Sequence, residues 1–310
     1  MKKVFFIINI ILKYLLWCFL FILPINFIVA EEMLGQKRKS EAVQIINMLV
    51  GQGIRLKVIN SEYIPNRAYV NDMPAVVDIS GFVEIKDDQK EYNYITLEWD
   101  TKSKKYSKLF QNIDCAIEIN LTKFDISGIE SIKSMFINCN RLEYIDFGNF
   151  DTSSIIDMAS MFEGCYTLKS LDLSVFNTSN VKYMEYMFKD CFELSSLNLS
   201  NFQTPKLERM YYMFYGTFQL KDIDLSNFNT SLVTSMESLF YGCSSLNNIN
   251  MSNFDTSKVT NMAEMFYGCG NIESFDLSNF DTSNVIIYIN IVIQLLFNLL
   301  ICIIILYKNY

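Results

Sequence analysis

The chain has 310 residues, of which 51% are hydrophobic, a formal net charge of −8 and no histidine. The missing imidazole removes the commonest general base and the commonest zinc nitrogen ligand, so we expect no enzyme, no metal and no cofactor. The acid excess is concentrated in residues 113–284, which carry 10 basic and 22 acidic side chains, a net of −12; such a surface repels phosphate backbones and excludes nucleic acid as a partner.

In chain order, residues 1–30 open with Met1-Lys2-Lys3 and run apolar to Ala30, interrupted by Lys13 and Pro24. This is the pattern of a secretory signal peptide, with an uncleaved signal anchor as the alternative because Ile28 fits the small-residue cleavage rule poorly. Residues 31–94 show no repeat. Ser40 to Leu49 reads as a helix, and short alternating runs follow at Arg55–Asn60, Ala75–Ile79 and Phe82–Ile85, so this stretch is expected to be a small α+β cap or module.

From residue 95 to residue 284 the chain repeats itself every 26 residues without an insertion. One phenylalanine column is Phe136, Phe162, Phe188, Phe214, Phe240 and Phe266, and a second is Phe124, Phe150, Phe176, Phe202, Phe228, Phe254 and Phe280. A third column is Cys139, Cys165, Cys191, Thr217, Cys243 and Cys269. Leu109-Phe110 falls one period before Met135-Phe136, which marks a degenerate first unit ahead of six regular ones. Fixed self-similarity at this period is the signature of stacked units that bury a common core. Within the unit Cys165–Asp190, Leu171, Asp172 and Leu173 alternate as a strand does, and Val181, Met184, Met187, Phe188 and Cys191 fall on one face of a helical or 3₁₀ return. Asn177, Thr178, Ser179 and Asn180 form the turn that starts it. The expected fold is therefore an α/β repeat solenoid with a parallel sheet on one face.

After Val285 the pattern gives way to an uncharged run ending at Leu306, long enough at about 1.5 Å per helical residue to cross a bilayer. Residues 285–306 are expected to be a transmembrane helix, and 307–310 a short cytoplasmic tail. Lys2, Lys3, Lys13 and Lys308 favour the cytoplasmic side, which places the repeats outside the cell.

The strings Ile223-Asp-Leu-Ser-Asn-Phe-Asn-Thr-Ser231 and Met265-Phe-x-Gly-Cys269 resemble the BspA-like leucine-rich repeat family, over roughly residues 117–285. The resemblance implies a right-handed leucine-rich-repeat coil. It also implies a microbial surface or secreted protein, several members being linked to adhesion and host-matrix binding. The family's motif is structural and carries no ligand residues to transfer.

Three surface columns are candidate binding sites. Tyr215, Tyr241 and Tyr267 form one aromatic row and Tyr166, Phe192 and Phe218 another. Both suit protein or glycan contact, or else stack on themselves. The strand column Asp146, Asp172, Asp224 and Asp276, with Asn198 and Asn250 between, is a polar face or a place for a hard cation. The cysteine column reads as small buried packing residues, with disulfides left open. The chain is thus expected to be a membrane-anchored cell-surface protein that binds an extracellular protein or glycan, as in adhesion. The alternatives are a coat or spacer without a ligand and a receptor-like ectodomain.

Overall fold

The computed structural model describes residues 44–86, 90–272 and 277–287; the expected signal segment, the C-terminal tail and all but the start of the expected membrane run lie outside the described residues. The described residues contain twelve strands, one 3₁₀ turn, Ser61–Tyr63, and no α-helix.

The N-terminal part is built of β1 (Gln44–Val50), β2 (Arg55–Lys57), β3 (Arg67–Val70), β4 (Met73–Ala75), β5 (Phe82–Glu84) and β6 (Asn93–Trp99). The helix expected over Ser40–Leu49 is corrected: residues 44–49 lie in β1. There Gln44, Ile46, Met48 and Val50 are buried and the residues between are half-buried, a period of two with β-branched isoleucines. Ile95 likewise lies in β6, which pairs antiparallel with β1 and with β3. The first repeat strand is therefore β7 (Ala116–Asn120), and β1 covers its free edge by pairing with it antiparallel. With β8 (Tyr144–Asp146) parallel to β7, the order of this mixed sheet is β4-β3-β6-β1-β7-β8.

Four further strands follow one per unit: β9 (Ser170–Asp172), β10 (Ser196–Asn198), β11 (Asp222–Asp224) and β12 (Asn248–Asn250). The expected leucine-rich-repeat coil, with one continuous parallel sheet and helical returns, does not form. The strand side is divided into parallel pairs, β7 with β8, β9 with β10 and β11 with β12, and no ladder joins β8 to β9 or β10 to β11. Each bonded pair sets one Asn against one Asp: Asn120 with Asp146, Asp172 with Asn198, and Asp224 with Asn250. At the first break Asp146 would meet Asp172, and like charges on adjacent strands repel; the second break, Asn198 against Asp224, has no such cause. The second phenylalanine column alternates in the opposite sense. Phe150 stacks on Phe176 and Phe202 on Phe228, so these rings meet where the neighbouring strands do not, and Phe254 stacks on Phe280.

The returns are turns rather than helix, and the reason is a pair of left-handed residues in every unit. Lys108, Ser134, Ser160, Tyr186, Tyr212, Ser238 and Glu264 have φ between 49° and 64°, and four residues later Asn112, Asn138, Gly164, Asp190, Gly216, Gly242 and Gly268 have φ between 58° and 79°. A positive φ ends a right-handed helix at once. Alternate N–H groups instead reach the next unit: Met184, Tyr186, Phe188 and Asp190 donate to the carbonyls of Arg209, Tyr211, Met213 and Tyr215 at 2.7–3.2 Å. The groups between close local turns, Met187 to Met184 and Cys191 to Phe188, both at 3.2 Å. Every turn half is thereby hydrogen-bonded to its neighbour, and the first phenylalanine column stacks without interruption from Phe110 to Phe266. Its ring centroids are 5.3–5.8 Å apart and the planes within 14° of parallel. These rings are buried, and each contributes roughly 1.5–3 kcal/mol from burial alone.

The residues of the turn also differ from expectation. Thr152, Thr178, Thr204, Thr230 and Thr256 are buried, and each hydroxyl both donates to a carbonyl and accepts from the N–H of one residue of the next unit. Thr178 thus bridges units instead of opening a helix. Asn177 does stay local: its side-chain oxygen accepts from the N–H of Ser179 at 3.1 Å.

No helix among the described residues is long and apolar enough to cross a membrane. The beginning of the expected membrane run is corrected too. Val285 is buried, Ile286 N–H donates to Thr260 at 2.8 Å, and Ile287 forms a parallel bridge with Asn261, so residues 285–287 continue the stack.

Candidate binding surface

The strand column is occupied by its own backbone. Asp146, Asp172 and Asp224 each accept, through Oδ1, the N–H of the residue two positions on, at 2.9–3.0 Å. These N–H groups, with the Ser174 and Ser226 hydroxyls, hold the carboxyls of Asp172 and Asp224 below the usual carboxylate range. Asn198 Nδ2 takes up Asp172 further, at 2.9 Å. Asp276 lies outside the described residues. Among the described residues no three His, Cys, Asp or Glu side chains come together where an ion could sit.

The six described cysteines carry free, buried thiols. Cys139, Cys165, Cys191, Cys243 and Cys269 donate Sγ–H to the carbonyls of Phe110, Phe136, Phe162, Phe214 and Phe240 at 2.9–3.3 Å. Burial pushes Cys115 up to about 12 and Cys139 and Cys165 well above the ordinary thiol range, so these groups stay protonated and unreactive. Thr217 departs from this pattern: its hydroxyl donates to the Phe214 carbonyl of its own unit at 2.9 Å and lies 3.2 Å from Cys243 Sγ.

Both aromatic rows are assembled. Tyr166 and Phe192 stack at 4.7 Å and Phe192 and Phe218 at 5.1 Å, with Tyr166 and Phe218 exposed. Tyr215 and Tyr241 stack at 4.5 Å and Tyr241 and Tyr267 at 4.8 Å, all three half-buried. The second row is larger than its repeat column. Tyr212 packs on Tyr215 at 5.6 Å and on Tyr186 at 5.3 Å, and Tyr186 meets Tyr211 edge-on at 5.3 Å. Six tyrosines are therefore in unbroken ring contact across four units. Tyr186, Tyr211 and Tyr212 do not form a repeat column with the other three, which hid them from the sequence; the dense Tyr211-Tyr212-x-x-Tyr215 cluster was their signal.

The charges on this face divide it in two. Toward the N-terminal side Lys189 pairs with Glu163 and with Asp190, both at 3.1 Å, and lies 5.9 Å from the Tyr215 ring. Lys182 pairs with Glu208 at 2.8 Å, and Arg209 stands 3.8 Å from Glu185 and 4.9 Å from the Tyr183 ring. Glu185 is buried, its Oε2 has no hydrogen-bond partner, and burial raises its carboxyl above the usual range. Toward the C-terminal side the returns 234–242 and 260–268 carry only Glu237 and Glu264 as charged side chains, and neither pairs with a cation among the described residues. Glu237 accepts from Tyr212 Oη at 2.8 Å and from Asn261 Nδ2 at 2.9 Å. Burial first, then the Glu163 and Glu237 charges, raises Tyr186, so its hydroxyl stays protonated at neutral pH.

Stacked strand-and-turn units that bring their side chains together in columns, one face of them aromatic and acidic, define a repeat protein. A family model described as "Mycoplasma protein of unknown function, DUF285" matches residues 104–223 and again 217–292. The chain belongs to that family. No curated protein and no solved structure matches it.

Proposed function

We propose that this is a surface-displayed repeat protein that binds another macromolecule through its tyrosine face, as an adhesin does. The observation that carries the reading is the run of six contacting tyrosines from Tyr211 through Tyr186, Tyr212, Tyr215 and Tyr241 to Tyr267, half-exposed on a hydrogen-bonded stack. Rigid aromatic side chains with polar tips supply contact area at low ordering cost. The signal-like residues 1–30 support placement outside the cytoplasm, and the apolar run to Leu306 supports attachment to a membrane. The motif resemblance to BspA-like surface proteins supports the adhesive role.

The test is saturable binding of the full chain to arrayed matrix proteins and glycans, alongside a Tyr215→Ala, Tyr241→Ala, Tyr267→Ala variant whose circular dichroism matches the parent. Loss of at least one binding activity in the variant is the expected result. A bound ligand that the variant retains at full affinity, or no saturable ligand at all, counts against the reading and favours a spacer without a partner.

A further inference from the structure

The partner class follows from what the tyrosine face lacks. We infer that Tyr215, Tyr241 and Tyr267, with Glu237 and Glu264, form a docking site for a basic polypeptide segment; this rests on the binding role proposed above.

In the N-terminal half of the face three half-buried or buried glutamates are met by cations of the chain itself, Glu163 by Lys189, Glu185 by Arg209 and Glu208 by Lys182, while Asp157 accepts the Ala159 N–H. In the C-terminal half that provision ends. The column that reads Glu163 and Lys189 continues as Tyr215, Tyr241 and Tyr267, and Glu237 and Glu264 remain half-buried with no cation. Such carboxylates gain from an incoming ammonium or guanidinium group, because charge-assisted bonds at a partly desolvated site are the strong ones.

Ring geometry discriminates against a glycan. A sugar stacks on the face of an aromatic ring, but within this row both faces of Tyr241 and one face each of Tyr215 and Tyr267 are covered by their neighbours at 4.5 and 4.8 Å, with planes 10° and 16° from parallel. What the row offers outward is ring edge and phenolic oxygen, and the hydroxyls of Tyr215, Tyr241 and Tyr267 bond to no described residue. Phenolic and carboxylate oxygens accept, and Arg and Lys only donate. Lys189, poised over Tyr215 at one end of the row, shows the chain's own cation in the position a foreign one would extend.

The experiment uses the full chain and three fluorescent decapeptides, alternating Arg-Ser, its citrulline-Ser neutral counterpart and Glu-Ser, with a neutral N-acetylglucosamine oligomer as a fourth probe. The Arg peptide should bind saturably and the other probes should not. The variant E237Q/E264Q, and separately Tyr215→Phe, Tyr241→Phe, Tyr267→Phe, which keeps the stack, should each weaken it about tenfold or more. The strand-face variant D222N/D224N, which removes the same charge elsewhere, should leave binding unchanged. Equal binding of the Arg and citrulline peptides, or equal loss in D222N/D224N, overturns the inference. If the glycan binds and is lost with the alanine variant while the Arg peptide never binds, the basic-partner inference fails and the binding role stands; if no probe and no arrayed ligand depends on the tyrosines, both fail.

Discussion

Replacing Thr204 by Val changes one atom type in a side chain that is 1% exposed and leaves its shape almost intact. In the native stack the Thr204 hydroxyl donates to the Asn229 carbonyl at 3.1 Å and accepts from the Asn229 N–H at 2.9 Å, so it serves both backbone groups of one residue in the next unit. Val puts a methyl where that oxygen was, and the N–H and C=O of Asn229 lose their part-buried hydrogen bonds. At about 1–3 kcal/mol per unsatisfied buried group, and less for the carbonyl, the expected loss is about 2–4 kcal/mol. Thr204→Ser keeps both bonds and removes a methyl, for a loss of about 1 kcal/mol. Urea unfolding followed by circular dichroism should therefore rank the parent above Ser and Ser above Val, with the Val midpoint lower than the Ser midpoint by about 1 M for a slope in the usual range. A Val variant as stable as the Ser variant would refute the claim that these hydroxyls join the units.

Phe162→Ala removes a ring stacked on both sides, at 5.5 Å to Phe136 and 5.8 Å to Phe188, and should lower stability by about 3–5 kcal/mol. Phe110→Ala, at the beginning of the column with Phe136 as its stacked neighbour, should lose about 1 kcal/mol less, read in the same urea experiment. Glu185→Gln probes the buried carboxyl. Because burial raises its folded-state pKa, the folded protein binds the proton more tightly than the unfolded chain; the group's contribution is most favourable below the unfolded carboxyl pKa and is lost as pH rises through the folded one. The variant should accordingly melt higher than the parent at neutral pH, with the difference shrinking as pH falls through the raised folded-state pKa and gone below about 4; a difference that grows toward low pH would reverse the assignment.

The period was legible because the columns inside the stack admit few residues. A ring at Phe162 and a small, weakly polar group at Cys165 must each match their copies in the units on either side. The character of the return was misread from the same residues. Met184, Met187 and Phe188 have helical spacing, but the opposing sign lay in the column Asn138, Gly164, Asp190, Gly216, Gly242 and Gly268, where Gly, Asn and Asp alternate because they tolerate positive φ. The threonine column was visible at every period yet looked like a turn signal, since a hydroxyl that bonds across units and one that bonds locally leave the same letter. The pairing of strands could not be read. Whether β8 bonds to β9 depends on small balances between like charges, ring stacking and backbone bonds, and these differ by less than composition reveals. Residues 44–49 read as part of a helix beginning at Ser40, whereas the alternation of Ile46, Met48 and Val50 already pointed to β1.

The alternation of bonded and unbonded strands has a consequence for how such a gene grows. Duplicating a single unit would set two partners of the same kind side by side, whereas copying an adjacent couple hands every newcomer the neighbour it is suited to. Chains of this construction should lengthen by couples.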